Sequence, residues 1–311
     1  MGLPLQKGEN AMLKKIFSIF IAIITFFISL FGSSGSGGGK PEKVNAYKNL
    51  SYGSAKIQKL DLYIPKKADG KYALILNLHG GKWTNGDKSE FGEDELKKMC
   101  SDFNCAAATM NYRFVNASVD AHDILDDIDA ALKTIKAKAS ENGVVIDRVM
   151  LNGVSAGGHL ALLYACSKGI SAAVKIAAVA VKSAPTDLSD ERLYSDSSSF
   201  GSRDEVYSLI SKVCGKSFNK KTFSRAVPTL KTVSPITYVS KSCPPVLIAH
   251  GKNDETVPYS NALMFSAALS GVGVKNDLIT YSNSGHDLSN NADCEKKFND
   301  LFASYAKTYL K

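Results

Sequence analysis

The pattern of apolar and polar positions after residue 56 predicts alternating strands and helices. Short, nearly continuous apolar runs are typical of strands buried on both faces of a parallel sheet. Strand-like segments lie at 57–64, 72–78, 105–112, 149–154, 174–181, 246–250 and 277–281. Helical periodicity or composition marks 93–103, 120–139, 156–168, 260–270 and 293–309. This order predicts an α/β fold with a doubly wound, mostly parallel sheet.

The alternation lapses between Ser189 and Leu230, where the chain is polar and rich in Ser and Lys. One helical piece is predicted near 204–213. The segment is too long for an ordinary connection in a compact domain. We therefore expect one domain over residues 41–311, with a cap-like insertion at about 189–230 that covers the strand ends.

The N-terminus has the layout of a targeting segment. Lys14 and Lys15 precede an apolar run over 16–31, and a Gly/Ser-rich stretch follows. A positive flank, a short apolar core and small residues after it are typical of a signal peptide. The run is slightly short for a bilayer-spanning helix of about 20 residues, but membrane anchoring through residues 14–31 is the alternative. Both interpretations predict export, to the medium or the cell surface, with residues 1–40 outside the folded domain.

Charge and cysteine content exclude some functional classes. The chain of 311 residues has a formal net charge of +8, but its lysines are scattered in pairs, so nucleic-acid binding is not indicated. None of the six cysteines forms a C-x-x-C pair, so no metal site is expected. Up to three disulfides are compatible with this number, a Cys100–Cys105 bond being the first expectation. Free buried thiols are equally compatible with the sequence.

A candidate nucleophile lies where an apolar strand runs directly into a helix. The segment Gly153-Val154-Ser155-Ala156-Gly157 matches the pattern G-x-S-x-G. A sharp strand-to-helix turn needs small residues beside the serine, and it exposes the hydroxyl at the edge of the sheet. Ser155 is therefore the predicted nucleophile.

A serine hydroxyl becomes a strong nucleophile only when a neighbouring base takes its proton. Where a serine follows such a turn, the order along the chain is serine, acid, histidine. That order disfavours His79 and His122, while His159 and His250 are expected to pack in the interior. His286, in a loop after the last strand, is the predicted base.

The predicted acid is Asp254, which immediately follows a buried strand. It would orient the imidazole and stabilise its charged form. Glu255 and Asp287 are the competing carboxylates. Asp287 ranks lower because adjacent side chains in a loop tend to diverge, which would carry it away from His286.

The segment His79-Gly-Gly-Lys-Trp83 is a candidate oxyanion hole, a set of N–H groups that stabilises developing negative charge. Its glycines allow the main chain to approach the reacting group closely. The expected donors are the N–H groups of Gly81 and Lys82 and, after the nucleophile, that of Ala156. Trp83 either lines the acyl pocket or packs in the interior.

Taken together, these segments resemble the α/β-hydrolase superfamily and, within it, the hormone-sensitive-lipase-like and BD-FAE-like esterases. The similar segments are 58–65, 79–83, 153–160, 184–188, 234–238, 244–254 and 285–286, so the resemblance covers roughly residues 48–310. It implies hydrolysis of carboxylic esters without a cofactor; family substrates include acylated plant polysaccharides, short acyl esters and aryl formamides. One departure is Lys82, which stands where relatives often have a third glycine.

These observations predict a serine esterase that cleaves small esters or acylated carbohydrates through an acyl-enzyme on Ser155. Two alternatives come from other functional classes. A serine peptidase of the oligopeptidase type shares the catalytic fold, although such enzymes commonly have a large extra domain. A catalytically inactive surface binding protein would use the same scaffold, and an apparently intact set of serine, acid and histidine argues against it.

Overall fold

The computed structural model describes residues 43–66, 70–195 and 201–311. The signal peptide or anchor expected within residues 1–40 lies outside the described residues and stays a prediction. Within the three described ranges, no helix has both the length and the apolar character needed to cross a membrane.

Eight strands form one sheet in the order β1-β2-β4-β3-β5-β6-β7-β8. The strands are β1 (Val44–Ser51), β2 (Lys59–Pro65), β3 (Gly70–Leu78), β4 (Ala106–Met110), β5 (Val144–Val154), β6 (Lys175–Lys182), β7 (Val246–Gly251) and β8 (Asn276–Tyr281). The β1–β2 and β2–β4 pairs are antiparallel, and the other five pairs are parallel. The predicted mostly parallel sheet is therefore confirmed.

Helices cover both faces of this sheet, as a doubly wound fold requires. They are α1 (Glu93–Phe103), α2 (Ala121–Ser140), α3 (Ala156–Ser167), α4 (Arg203–Val213), α5 (Phe223–Thr232), α6 (Ser260–Gly271) and α7 (Ala292–Tyr309). Buried apolar residues of α2, α3 and α6 pack in one core, and those of α1 and α7 pack in a second core on the other face. Burial of these apolar faces is the main force that closes the helices onto the sheet.

The segment between β6 and β7, called the insertion below, contains α4 and α5 and three short 3₁₀ turns. Residues 196–200 of it lie outside the described residues. Its interior is an aromatic cluster of Tyr194, Tyr207, Phe218 and Phe223, with ring centroids 4.8 to 6.3 Å apart. The cluster is continuous with the core formed by α2, α3 and α6. The expected capping role of the insertion over the strand ends stays a prediction.

The structure differs from the sequence-based expectation in its cysteines. Cys100 and Cys105 are both buried free thiols, so the expected bond between them is wrong for this structure. The Cys100 thiol faces the carbonyl of Tyr63, at 3.6 Å, whereas the Cys105 thiol faces the carbonyl of Met99, at 3.7 Å. The two sulfur atoms thus contact different segments. All six cysteines fall in the described residues, and all six are free.

Candidate active site

Ser155 lies in a strained turn between β5 and α3. Its φ of 51° and ψ of −118° are rarely adopted by residues other than glycine, and such strain is concentrated at functional sites. Its N–H donates to the carbonyl of Lys182 at 2.8 Å. A Cβ at Gly157 would lie 2.2 Å from the carbonyl oxygen of Leu78, so the helix can begin here only because the residue is glycine. The sequence G-x-S-x-G therefore produces the turn that presents Ser155 at the sheet edge.

The structure brings the three predicted side chains together. His286 Nε2 lies 3.0 Å from Ser155 Oγ, and His286 Nδ1 lies 2.8 Å from Asp254 Oδ2. A neutral imidazole that donates its Nδ1–H to Asp254 leaves Nε2 free to accept the serine proton. Ser155, His286 and Asp254 are called the triad below. Its members follow β5, β8 and β7, three strands whose carboxyl ends share one edge of the sheet.

Asp254 is fully buried and accepts several hydrogen bonds. Its Oδ1 accepts the N–H groups of Thr256 and Val257, both at 2.8 Å, and its Oδ2 accepts from His286 and, at 3.1 Å, from His250 Nε2. Burial raises the pKa of Asp254, but attraction to His286 and the hydrogen bonds from both histidines outweigh it and hold the pKa well below its ordinary value. Asp254 is therefore a charged acceptor for the His286 N–H.

The two competing carboxylates lie elsewhere. Glu255 is exposed, although it directly follows Asp254. Asp287 is used in a local turn, where its Oδ1 accepts from the N–H and the hydroxyl of Ser289 at 3.2 and 3.0 Å. Within the described residues, Asp254 is the carboxylate bonded to the His286 ring.

The loops that carry Asp254 and His286 touch through their main chains. A Cβ at Gly251 would lie 2.1 Å from the carbonyl oxygen of Gly285, and the N–H of Asn253 donates to the carbonyl of Ser284 at 3.0 Å. These main-chain contacts fix the separation of the two loops, and with it the distance between Asp254 and His286.

The expected oxyanion loop lies against Ser155. A Cβ at Gly80 would be 3.6 Å from Ser155 Cβ, and the next residues, Gly81 and Lys82, have φ values of 106° and 54°. The Tyr112 hydroxyl donates to the carbonyl of Gly80 at 3.2 Å, as well as to the preceding carbonyl, which fixes the start of the loop. The loop is thus placed beside Ser155. The donor roles of Gly81, Lys82 and Ala156 stay predictions.

His79 and His159 pack in the interior, and His250 is buried beside the triad, where its Nε2 donates to Asp254. His79, His159 and His250 are completely buried. Trp83 Nε1 donates to His159 Nδ1 at 3.1 Å, and His159 Nε2 donates to the carbonyl of Val233 at 2.7 Å. Burial lowers the pKa of His79 and of His159 to about 4, so both are neutral near pH 7. Trp83 is also buried, which favours its packing role over one as a pocket wall.

The described residues contain no group of three or more histidine, cysteine, aspartate or glutamate side chains arranged to hold a metal ion. The chemistry that the site can perform with its own groups is nucleophilic attack by Ser155 with proton transfer to His286.

A mostly parallel sheet with a strained serine after β5 and its acid and base after β7 and β8 defines the α/β-hydrolase fold. Within this class, the BD-FAE family profile matches residues 60–269, and the chain belongs to this family.

Several curated relatives with ester-cleaving names are similar to this chain. The isoprenylcysteine alpha-carbonyl methylesterase of Arabidopsis thaliana is 26% identical over 77% of this chain and 56% of its own length. LipM of Mycobacterium tuberculosis, named a probable carboxylic ester hydrolase, is 25% identical over 70% of this chain and 50% of its own length. The chain thus spans about half the length of the curated relatives it matches.

Two solved structures show the same fold. Inhibited esterase B from Lactobacillus rhamnosis superposes with a TM-score of 0.67 at 19% identity, covering 95% of this chain and 96% of its own. A truncated carbohydrate esterase from gut microbiota superposes with a TM-score of 0.66 at 19% identity, covering 88% of this chain and all of its own.

Proposed function

We propose that this chain is a carboxylic ester hydrolase that works through an acyl-enzyme on Ser155. The observation that carries the proposal is the continuous hydrogen-bonded path from Ser155 Oγ through His286 to Asp254, with contacts of 3.0 and 2.8 Å. Membership in the BD-FAE family and the ester-cleaving names of several relatives support esters over peptides as substrates.

In the proposed mechanism, Ser155 Oγ attacks the ester carbonyl carbon while its proton moves to His286 Nε2. Asp254 stabilises the imidazolium that forms. N–H groups of Gly81, Lys82 and Ala156 bind the oxyanion of the tetrahedral intermediate. Collapse of this intermediate expels the alcohol, which takes the proton from His286 and leaves the acyl group on Ser155.

Deacylation repeats the sequence with water. His286 Nε2 accepts a proton from the water molecule, the resulting hydroxide attacks the acyl carbonyl, and Ser155 leaves with the proton returned to its Oγ. The products are a carboxylic acid and the regenerated hydroxyl. The exposed fraction of the His286 side chain, 29%, supports this step because water must reach Nε2.

The proposed substrates are small acyl esters or acylated carbohydrates. The carbohydrate esterase among the structural neighbours agrees with the second class. A panel of acetyl, feruloyl and formamide substrates would rank them, and peptide nitroanilides would test the peptidase alternative.

The direct test is Ser155→Ala, assayed with nitrophenyl acetate. Because the nucleophile is removed, kcat is expected to fall by roughly 10³-fold or more. Ser167→Ala, at the other end of α3, is the matched control, since its hydroxyl donates to the carbonyl of Leu163 within the helix. Activity is expected to persist in this control. Unchanged turnover in Ser155→Ala would overturn the proposal.

Covalent labelling gives a second measurement on the same variants. A fluorophosphonate probe is expected to modify the parent protein and Ser167→Ala at Ser155, and to leave Ser155→Ala unmodified. Absence of labelling in the folded parent protein would instead favour an inactive binding protein.

A further inference from the structure

Ser183, the first residue after β6, is a residue of this site that the sequence does not indicate. Its side chain is completely buried, and its φ is 51°, in the left-handed region that favours glycine. A non-glycine residue there costs conformational energy, and such strain persists only where the surrounding structure enforces it. The presence of serine rather than glycine at this position therefore needs a structural reason.

The contacts of Ser183 supply that reason. Its Oγ donates to the main-chain carbonyl of His286 at 2.8 Å, and its N–H donates to the carbonyl of Ala249 in β7 at 2.9 Å. The preceding residue, Lys182, accepts the N–H of Ser155 at 2.8 Å. Two adjacent residues thus hold the main chain of the nucleophile and that of the base.

The side chain of Lys182 anchors this pair of residues on the opposite face of the sheet. Its buried ammonium lies 2.7 and 3.0 Å from the two carboxylate oxygens of Glu295 on α7, and 4.5 Å from the ring centre of Phe298. The Tyr281 hydroxyl also donates to Glu295, at 2.8 Å. A shift of the end of β6 would strain this buried ion pair, which is costly to break.

We infer that Ser183 is a positioning residue that holds His286 in line with Ser155. The inference rests on the proposed ester hydrolysis for its effect on rate. The Ser183 hydroxyl holds the main chain of His286, while Asp254 holds its imidazole ring. Because a displacement of about 1 Å at reacting groups can cost 10²-fold in rate, loss of this bond is expected to slow acylation.

The test compares Ser183→Ala with Ser183→Gly. Both lack the hydroxyl, but glycine accepts the positive φ without strain, so it separates the hydrogen bond from backbone strain. Thr186→Val is the matched control. It removes another buried hydroxyl, which donates at the same 2.8 Å to a main-chain carbonyl, that of Asn261.

We expect kcat for nitrophenyl acetate, per site titrated with a phosphonate, to fall roughly 10- to 100-fold in both Ser183 variants. KM is expected to change little, because the hydroxyl faces the His286 main chain rather than the substrate. Thr186→Val is expected to keep the parent kcat. Parent-like kcat in Ser183→Gly, or an equal loss in Thr186→Val, would reduce Ser183 to a merely structural role.

A readout without turnover separates this inference from the proposed function. The downfield proton resonance of His286 Nδ1–H bonded to Asp254, assigned by its absence in His286→Gln, is expected to shift or broaden in both Ser183 variants. It should be unchanged in Thr186→Val. If the parent protein does not cleave esters, the proposed function fails. The positioning role of Ser183 is then decided by this resonance alone, and an unaltered signal in Ser183→Ala overturns it.

Discussion

The sheet edge that carries the triad and the insertion between β6 and β7 are held together by different kinds of contact. At the edge, main chain meets main chain: a Cβ at Gly157 would lie 2.2 Å from Leu78 O, and one at Gly251 would lie 2.1 Å from Gly285 O. In the insertion, four aromatic rings pack around one another at centroid distances of 4.8 Å and more.

The geometry of the edge is therefore fixed, whereas the insertion can accept changes in its side chains. A main-chain contact of this kind admits no additional atom, so it fixes the distances among Ser155, His286 and Asp254. Aromatic packing tolerates volume-conserving changes with modest losses, so the insertion can change its surface while the triad stays in place. Substitutions in the two regions are therefore expected to have different outcomes.

The largest effect is expected for Gly157→Ala at the edge. The added methyl group overlaps Leu78 O, so we expect a loss of more than about 3 kcal/mol in the free energy of unfolding and a severe loss of kcat. Gly271→Ala is the control, because no atom beyond its chain neighbours and its own helix backbone lies within 4 Å of its Cβ position, and alanine favours the helix. Urea titration measures the free energy of unfolding, and nitrophenyl acetate turnover measures kcat, in both variants. A tolerated Gly157→Ala would contradict the rigid edge.

A smaller effect is expected for Tyr207→Ala in the insertion. Loss of a ring that stacks on Tyr194 at 4.8 Å is expected to cost about 3 kcal/mol. Since the triad is not in this cluster, kcat per titrated site should stay near the parent value. Tyr207→Phe keeps the ring and is expected to resemble the parent protein. A fall in kcat as large as that in Gly157→Ala would remove the distinction between the regions.

The smallest effect concerns His159, which joins the two regions through Trp83 and Val233. Burial lowers its pKa from 6.5 to about 4. Between these values the unfolded chain binds more protons than the folded one, so stability falls as pH drops from about 6.5 towards 4. Between pH 8 and pH 5, His159 is expected to contribute about 2 kcal/mol to this loss.

In His159→Gln the difference in unfolding free energy between pH 8 and pH 5 should therefore shrink by about 2 kcal/mol. Urea titrations at both pH values provide the measurement. An undiminished difference in His159→Gln would mean that the buried imidazole does not govern this pH dependence.

Local patterns were sufficient for most of the fold and for the triad. Continuous apolar runs predict β3 and β5, and G-x-S-x-G together with the order serine, acid, histidine indicates Ser155, Asp254 and His286. These signals are informative because the burial of a strand and the sharp turn at the serine both depend on residues that are close together in the sequence.

Elements whose cause is not local were missed. β1 is a partly exposed edge strand, so no apolar run indicates it. Pro228 lies inside α5, and because proline normally breaks a helix, the sequence does not predict this one. The role of Ser183 depends on the pairing of β6 with β7 and on the loop after β8, which no sequence window contains. The Cys100–Cys105 expectation failed because nearness in sequence does not set the direction of side chains.

The positive φ of Ser155 also limits which nucleophile the turn can carry. A side chain branched at Cβ is a genuine outlier at such a dihedral angle, so threonine, the nucleophile of some other hydrolases, is sterically incompatible with this position. Cysteine is unbranched and fits. Natural or directed evolution can therefore exchange an oxygen for a sulfur nucleophile on this scaffold, whereas adding a single methyl group to the alcohol would require a different turn.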